Sequence, residues 1–169
     1  MKSKKNSIPT YWSSGIKHLS RVDPILSTII KKHKKDSCLK RTNTLFKTFF
    51  SIILGQQISI EAANSIEKRI KSQIKRITPK NILYISDNNL RSLGLSFRKV
   101  QYIKGIANLI IKDRKFFSSL SKMNDDEAIT VLSNLYGIGP WSSEMFLIFQ
   151  YNRQNILPLG DIGLINSFC

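Results

Sequence analysis

Cysteine is scarce in this 169-residue chain: there are two, Cys38 and Cys169. Two thiols so far apart suggest neither a disulfide framework nor a thiolate metal cage. A cubane iron–sulfur cluster usually takes four cysteine ligands, so none is expected. Histidine is as rare, and His18 and His33 lie in polar, Lys-rich stretches that read as solvated surface rather than metal ligands. Acidic residues are few, 11 against 27 Lys and Arg. No apolar stretch approaches the length of a membrane span. Met1 to Ser7 is basic, but no apolar core follows it, so a secretory signal is not expected and an intracellular location is.

What is present is a globular composition with a strong positive charge. Hydrophobic residues make up 41% of the chain, enough for a buried core in one domain or two interleaved lobes. The formal net charge of +16 repels itself in a compact fold unless a polyanion shares the surface, and nucleic acid is the usual partner. A basic surface that only keeps the protein in solution is the plainer alternative. The richness in Lys, Ile, Asn and Ser suggests an AT-rich genome, which itself raises the Lys count. Charge separates neither DNA from RNA nor an enzyme from a passive binder.

Helical periodicity dominates, and no alternating strand series stands out, so an all-α fold is predicted. Trp12, Ile16 and Leu19 fit a first helix. Asp23 can cap a second that starts at Pro24 and buries Ile25, Leu26, Ile29 and Ile30. Lys31 to Lys35 is a solvated charge run, and Asp36 to Asn43 reads as a loop. Leu45 to Leu54 is apolar on most faces and predicts the most buried helix, ending at Gly55. Ser59 can cap the next, with Ala62, Ala63, Ile66 and Ile70 inward. Short helices follow from Pro79 and, capped by Asp87, as far as Gly94. Phe97, Val100, Ile103, Ala107 and Ile110 mark an amphipathic helix with Arg98, Lys99, Gln101 and Lys104 on its polar sides. Asn124 and Glu127 are spaced as a capping box for a helix through Leu135. A further helix runs from Trp141 to Phe149, and a last stub from Asp161 to Phe168.

The most informative segment joins two of these helices: Gly137-Ile138-Gly139-Pro140-Trp141-Ser142. Glycine permits positive φ and close approach of backbone N–H groups to an outside atom. The free N–H groups and positive dipole end of the second helix point to the same place. That is an anion site suited to a nucleic-acid phosphate, although a plain helix-to-helix turn fits a Gly-x-Gly as well. Further on, Leu157-Pro158-Leu159-Gly160-Asp161-Ile162-Gly163 presents a lone carboxylate after a rigid approach. Asp161 can cap the last helix, which would hold it ionised, or act as that cap and nothing more.

Together these segments resemble the helix-hairpin-helix and Gly/Pro-rich-Asp signature of DNA glycosylases, and more closely the 3-methyladenine DNA glycosylase II branch. The interval of 20 residues from Trp141 to Asp161 agrees with that family. So do Leu54-Gly55-Gln56-Gln57-Ile58-Ser59 and Gly94-Leu95-Ser96-Phe97-Arg98-Lys99, with Tyr11-Trp12 and Asp23-Pro24 where the family's first helices begin. The likeness spans about residues 11 to 168 in order. It implies a helical bundle in two lobes with a cleft between them. Residues 1–43 would supply N-terminal helices of the second lobe. Residues 44–158 would form the central domain with the hairpin at 135–142, and residues 159–169 the Asp loop and final helix.

The resemblance also implies roles. Asp161 would be the catalytic carboxylate that stabilises an oxocarbenium-like sugar. Trp141 stands where lyase-competent relatives carry a catalytic lysine. An indole forms no Schiff base, so a monofunctional enzyme is expected. Trp141 would line the base pocket or pack in the core. Met145 stands where some relatives have a pocket tyrosine. Backbone N–H groups of Gly137, Gly139 and Ser142 would bind a phosphate. Carbonyls of Ser133, Leu135 and Ile138 could hold a structural Na+ or K+; no other cofactor is implied. Gln57 would be either a wedge that fills the gap left by a flipped nucleotide or a simple loop residue. Arg98 and Lys99 would contact phosphates or form a solvated face. The implied partner is double-stranded DNA containing alkylated bases.

The family usually continues for some tens of residues beyond the catalytic aspartate, and here eight remain. A truncated C-terminal lobe is therefore expected, and with it the alternative of a catalytically impaired helix-hairpin-helix DNA-binding protein. Lesion specificity and oligomeric state are not legible.

Overall fold

The computed structural model describes residues 8–33 and 44–168, with the side chains of residues 114 and 168 left aside. Both cysteines, the basic Met1 to Ser7, the end of the charge run and the predicted loop from Asp36 to Asn43 lie outside the described residues. Among the described residues there are helices and no strands. The chain divides into two compact units, Met1–Thr42 and Asn43–Cys169.

The first unit contains α1 (Trp12–Val22) and α2 (Pro24–Lys32), which pack on each other. Asp23 caps α2 as predicted, its carboxylate accepting the N–H groups of Ile25 and Leu26 at 2.8 and 2.9 Å. The predicted buried stripe is not realised: Leu26 and Ile30 are half-buried, while Ile25 is 73% and Ile29 49% exposed. Two helices of 11 and 9 residues have too little volume to enclose a side chain of either.

The second unit is built on α3 (Leu45–Gly55), α7 (Phe97–Lys112) and α10 (Pro140–Tyr151). The apolar run of α3 makes it the core helix, with Phe49, Phe50, Ile53 and Leu54 almost fully buried. It packs against α7, through Val100, Ile103 and Ala107, and against α10, through Phe146 and Leu147. Phe49 stacks on Phe146 with ring centroids 3.9 Å apart. Phe117 meets Phe49 edge-on at 5.7 Å. Truncating an aromatic side chain in such a contact costs about 3–5 kcal/mol.

Further elements close this core: α4 (Ile60–Gln73), α5 (Pro79–Tyr84), α6 (Asp87–Ser92), α8 (Arg114–Leu120) and α9 (Asp125–Ser133); α11 (Ile162–Phe168) follows them and is largely exposed. Side-chain caps set their starts. Ser59 caps α4, Thr78 caps α5, Ser96 caps α7, and Asn124 with Glu127 forms the predicted capping box of α9. Ser86 rather than Asp87 caps α6, which leaves the Asp87 carboxylate to Lys104 and Gln101 of α7. Ala62 and Phe97, expected inward, are exposed, because each lies in the first turn of its helix, ahead of the buried stripe. Sequence periodicity passes over α8, whose Phe117 and Leu120 are buried. A capping aspartate, Asp113, was the available sign of it.

Candidate functional site

The hairpin between α9 and α10 closes through two backbone bonds, Leu135 N–H to the Leu132 carbonyl and Ile138 N–H to the Leu135 carbonyl, both 3.0 Å. The two glycines of the turn do different work. Gly137 has φ +84°, and a Cβ there would lie 2.1 Å from the Tyr102 ring of α7. Only glycine lets the turn sit on that ring. Gly139 has φ −97°, so of the two glycines only Gly137 uses the positive φ that glycine permits. Nothing lies within 4 Å of where the Gly139 Cβ would be, so its bare backbone faces open space. Gly139 is also the N-cap of α10 and Pro140 its first residue. The helix thus begins with no capping side chain on its N–H groups, which leaves its positive end open to an anion. Tyr136 on the same turn is 71% exposed and meets Tyr102 edge-on at 4.8 Å.

The end of α3 is tied to this hairpin. Gln56 donates its amide Nε2–H bonds to the Gly137 carbonyl and to the Ser142 hydroxyl, each at 3.0 Å. Lys99 donates from Nζ to the carbonyls of Leu54 and Gln56, each at 2.8 Å. Burial pushes the Lys99 ammonium below its ordinary pKa. Lys99 is therefore a cationic cap on the C-terminal end of α3 rather than part of a solvated face. Arg98 beside it is exposed. Gln57, the next residue after Gln56, is exposed and adopts φ +56°, a left-handed conformation that costs a residue other than glycine of order 1–2 kcal/mol.

Asp161 is held at the first turn of α10. The Trp141 indole Nε1–H donates to Asp161 Oδ2 at 2.8 Å. The backbone N–H of Leu164 donates to Oδ1 at 2.8 Å, the predicted cap of α11. A turn fixes the approach, with Asp161 N–H on the Pro158 carbonyl at 2.9 Å. A Cβ at Gly163 would come 3.1 Å from Asp161 Oδ1, so the glycine leaves the carboxylate room to reach the helix end. The Trp141 hydrogen bond, with those from the Leu164 and Gly163 backbone, holds the Asp161 carboxyl below the usual carboxylate range against a smaller opposing effect of burial. Asp161 is thus an ionised group near neutral pH.

The other residues singled out in the sequence fall as follows. Trp141 is half-buried, its ring against the core, so pocket and core are not exclusive places for it. Met145 is 9% exposed and belongs to the core cluster. Ser142 is buried, with its hydroxyl committed to Gln56. Ser133 meets Ser143 hydroxyl to hydroxyl at 3.0 Å, tying α9 to α10 beneath the hairpin. The Leu135 carbonyl accepts the Ile138 N–H, and Ile138 itself is buried. Hydrogen bonds thus join Gln56, Gly137 and Ser142 in one cluster and Trp141 with Asp161 in another, and Trp141 adjoins Ser142 in the chain. Periodicity missed Gln56 and Tyr102 as supports of this site. The paired Gln56-Gln57 after an apolar helix was the available signal for the first.

Residues 50–169 match the HhH-GPD superfamily of base excision DNA repair proteins. A DNA-3-methyladenine glycosylase of Saccharomyces cerevisiae is 34% identical over 93% of this chain, which spans 58% of that protein's length. Among solved structures, the 3-methyladenine DNA glycosylase Mag1 of Schizosaccharomyces pombe, in complex with abasic DNA, superposes with a TM-score of 0.74. It is 27% identical, over 92% of this chain and 78% of that one. The DNA-3-methyladenine glycosidase of Bacillus halodurans gives a TM-score of 0.65 at 33% identity, over 73% of this chain and 58% of that one. Hairpin, capped aspartate and overall similarity agree: the chain belongs to the HhH-GPD superfamily of base excision DNA repair proteins.

Proposed function

We propose that this chain hydrolyses the N-glycosidic bond of alkylated purines of the 3-methyladenine type in double-stranded DNA and leaves the abasic site uncut. The observation that carries the reading is Asp161, kept ionised by the Trp141 indole and the start of α11 beside the first turn of α10. A base inside the stack is out of reach, so the damaged nucleotide is extruded, and a weakened pair opens more cheaply. Gln57 is the wedge that occupies the vacated place. The N–H groups of Gly137, Gly139 and Ser142 grip the adjoining phosphate, with Arg98 adding charge along the strand.

As the bond between C1′ and the base breaks, its electron pair leaves with the base and positive charge develops on the sugar. A carboxylate held at low pKa is a weak proton acceptor, so Asp161 acts chiefly by electrostatic stabilisation of that charge and by orienting water. Trp141 offers no amine, so no covalent enzyme–sugar intermediate forms through it. Its ring and Met145 set one wall of the base pocket. The carbonyls of Ser133, Leu135 and Ile138 would hold a monovalent Na+ or K+. Leu135 accepts one bond, from Ile138, and a carbonyl has two lone pairs. The cation would add positive charge to the phosphate grip. The partner is genomic DNA, which puts the protein in the bacterial cytoplasm at the nucleoid, or in the nucleus of a eukaryote. Among the described residues, no helix is long and apolar enough to cross a membrane.

Incubation with methylated duplex DNA tests the reading. Free 3-methyladenine should appear, and the strand should stay intact until the abasic site is cleaved by alkali. Asp161→Asn should slow release by about 100-fold or more. Release at an unchanged rate would end the assignment of Asp161. A substrate bound but never cut would leave a helix-hairpin-helix DNA-binding protein.

A further inference from the structure

We infer that Gln56 is a positioning residue that couples the wedge to the phosphate grip, so that strand capture and base extrusion occur as one event. The inference rests on the glycosylase reading above. It starts from a side chain that joins the end of α3 to the start of α10. The Gln56 amide bridges the Gly137 carbonyl and the Ser142 hydroxyl, 81 and 86 residues away in the chain, each at 3.0 Å. The Gly137 carbonyl can only accept, so the amide must turn its NH2 toward the hairpin. That NH2 has two hydrogens, and both are used.

The backbone of the same residue is held from another direction. Lys99 of α7 binds the carbonyls of Leu54 and Gln56 at 2.8 Å. With Gln56 fixed at side chain and carbonyl, the chain leaves it with Gln57 in the left-handed region at φ +56° and with the Gln57 side chain exposed. Strain of this kind persists only where surrounding contacts over-determine it. The contacts that do so here come from Gln56. Its two acceptors matter as much. Gly137 is the turn residue seated on Tyr102, and Ser142 follows Trp141, whose indole holds Asp161. A phosphate drawn onto the N–H groups of the hairpin therefore loads the same short segment whose other end presents Gln57 to the duplex.

Coupling makes a prediction that simple structural support does not: the effects of losing Gln56 and Gln57 should not add. The probe is a duplex with a tetrahydrofuran abasic-site analogue flanked by 2-aminopurine, whose fluorescence rises when it unstacks. Gln56→Met keeps the side-chain length and removes the amide. It should fold, weaken binding about tenfold and abolish most of the fluorescence rise, and Gln57→Ala should do the same. The double variant should be no worse than the more severe single. Ser142→Ala removes one of the two acceptors and should give a partial loss in the same direction, which keeps the test valid if Gln56→Met does not fold. A fluorescence rise in Gln56→Met equal to wild type, an unaffected Ser142→Ala, or a double variant whose loss equals the product of the singles would overturn the coupling alone. A wild-type chain that neither binds the probe nor unstacks it would overturn the glycosylase reading, and the coupling with it.

Discussion

The indole N–H of Trp141 donates to the carboxylate of Asp161 at 2.8 Å, and it is the largest influence that lowers the Asp161 pKa. A residue at the hairpin thereby lowers the pKa of one that follows 20 positions later. Trp141→Phe keeps the aromatic ring and loses the donor. Asp161 should then titrate closer to an ordinary carboxylate, and the acid limb of the rate profile should move to higher pH. Single-turnover excision measured across acidic pH, in both proteins, checks this.

The same hydrogen bonds link pH to stability. A carboxyl whose folded pKa lies below its unfolded value stabilises the fold above the unfolded pKa, and that contribution disappears as pH falls through the folded pKa. Wild type should therefore lose stability on acidification below the ordinary carboxylate range, and Asp161→Asn should lose less over that window. Thermal melts at a series of acidic pH values would show the difference, and parallel curves would contradict it.

The two hairpin glycines should respond differently to alanine. Gly137→Ala combines a positive φ with a Cβ 2.1 Å from the Tyr102 ring and should cost about 3 kcal/mol. Gly139→Ala meets neither obstacle and should stay within about 0.5 kcal/mol of wild type. Its methyl group would point into open space where the phosphate is proposed to approach, so its loss should appear in DNA affinity instead. Denaturant unfolding and binding isotherms separate the two effects.

Gln57→Gly should not lower the melting temperature and can raise stability by up to about 1 kcal/mol, because glycine adopts φ +56° without strain. The same change removes the proposed wedge. A variant of undiminished stability that no longer unstacks a flanking 2-aminopurine is the expected outcome; a marked drop in melting temperature would show that the left-handed turn is not strained.

Lys99 and Arg98 adjoin in sequence and should behave differently. Lys99→Met leaves two carbonyls at the end of α3 without their cation and should cost about 2 kcal/mol of stability. Arg98→Ala, at an exposed position, should leave stability nearly unchanged. It should reduce the salt dependence of DNA binding by about one phosphate contact. Titrations at several salt concentrations decide the matter.

Residue order alone determined most of the helices, the caps at Asp23, Ser59, Asn124 and Asp161, and the central place of α3. Each of those follows from interactions among neighbours three or four residues apart, or from an apolar run too long to leave in water. The aspartate and the glycine turn were legible for the same reason, as a short motif at a fixed interval. Tertiary structure decided what the motif's residues do to one another. Whether Lys99 faces a phosphate or closes the end of α3, and whether Gln56 is a loop residue or the tie to Gly137 and Ser142, depends on backbone carbonyls brought close by packing. The bond from Trp141 to Asp161 likewise exists only once α10 and the last turn have met. A hydrogen bond needs about 3 Å, and no periodicity in a sequence encodes a distance between atoms that far apart along the chain.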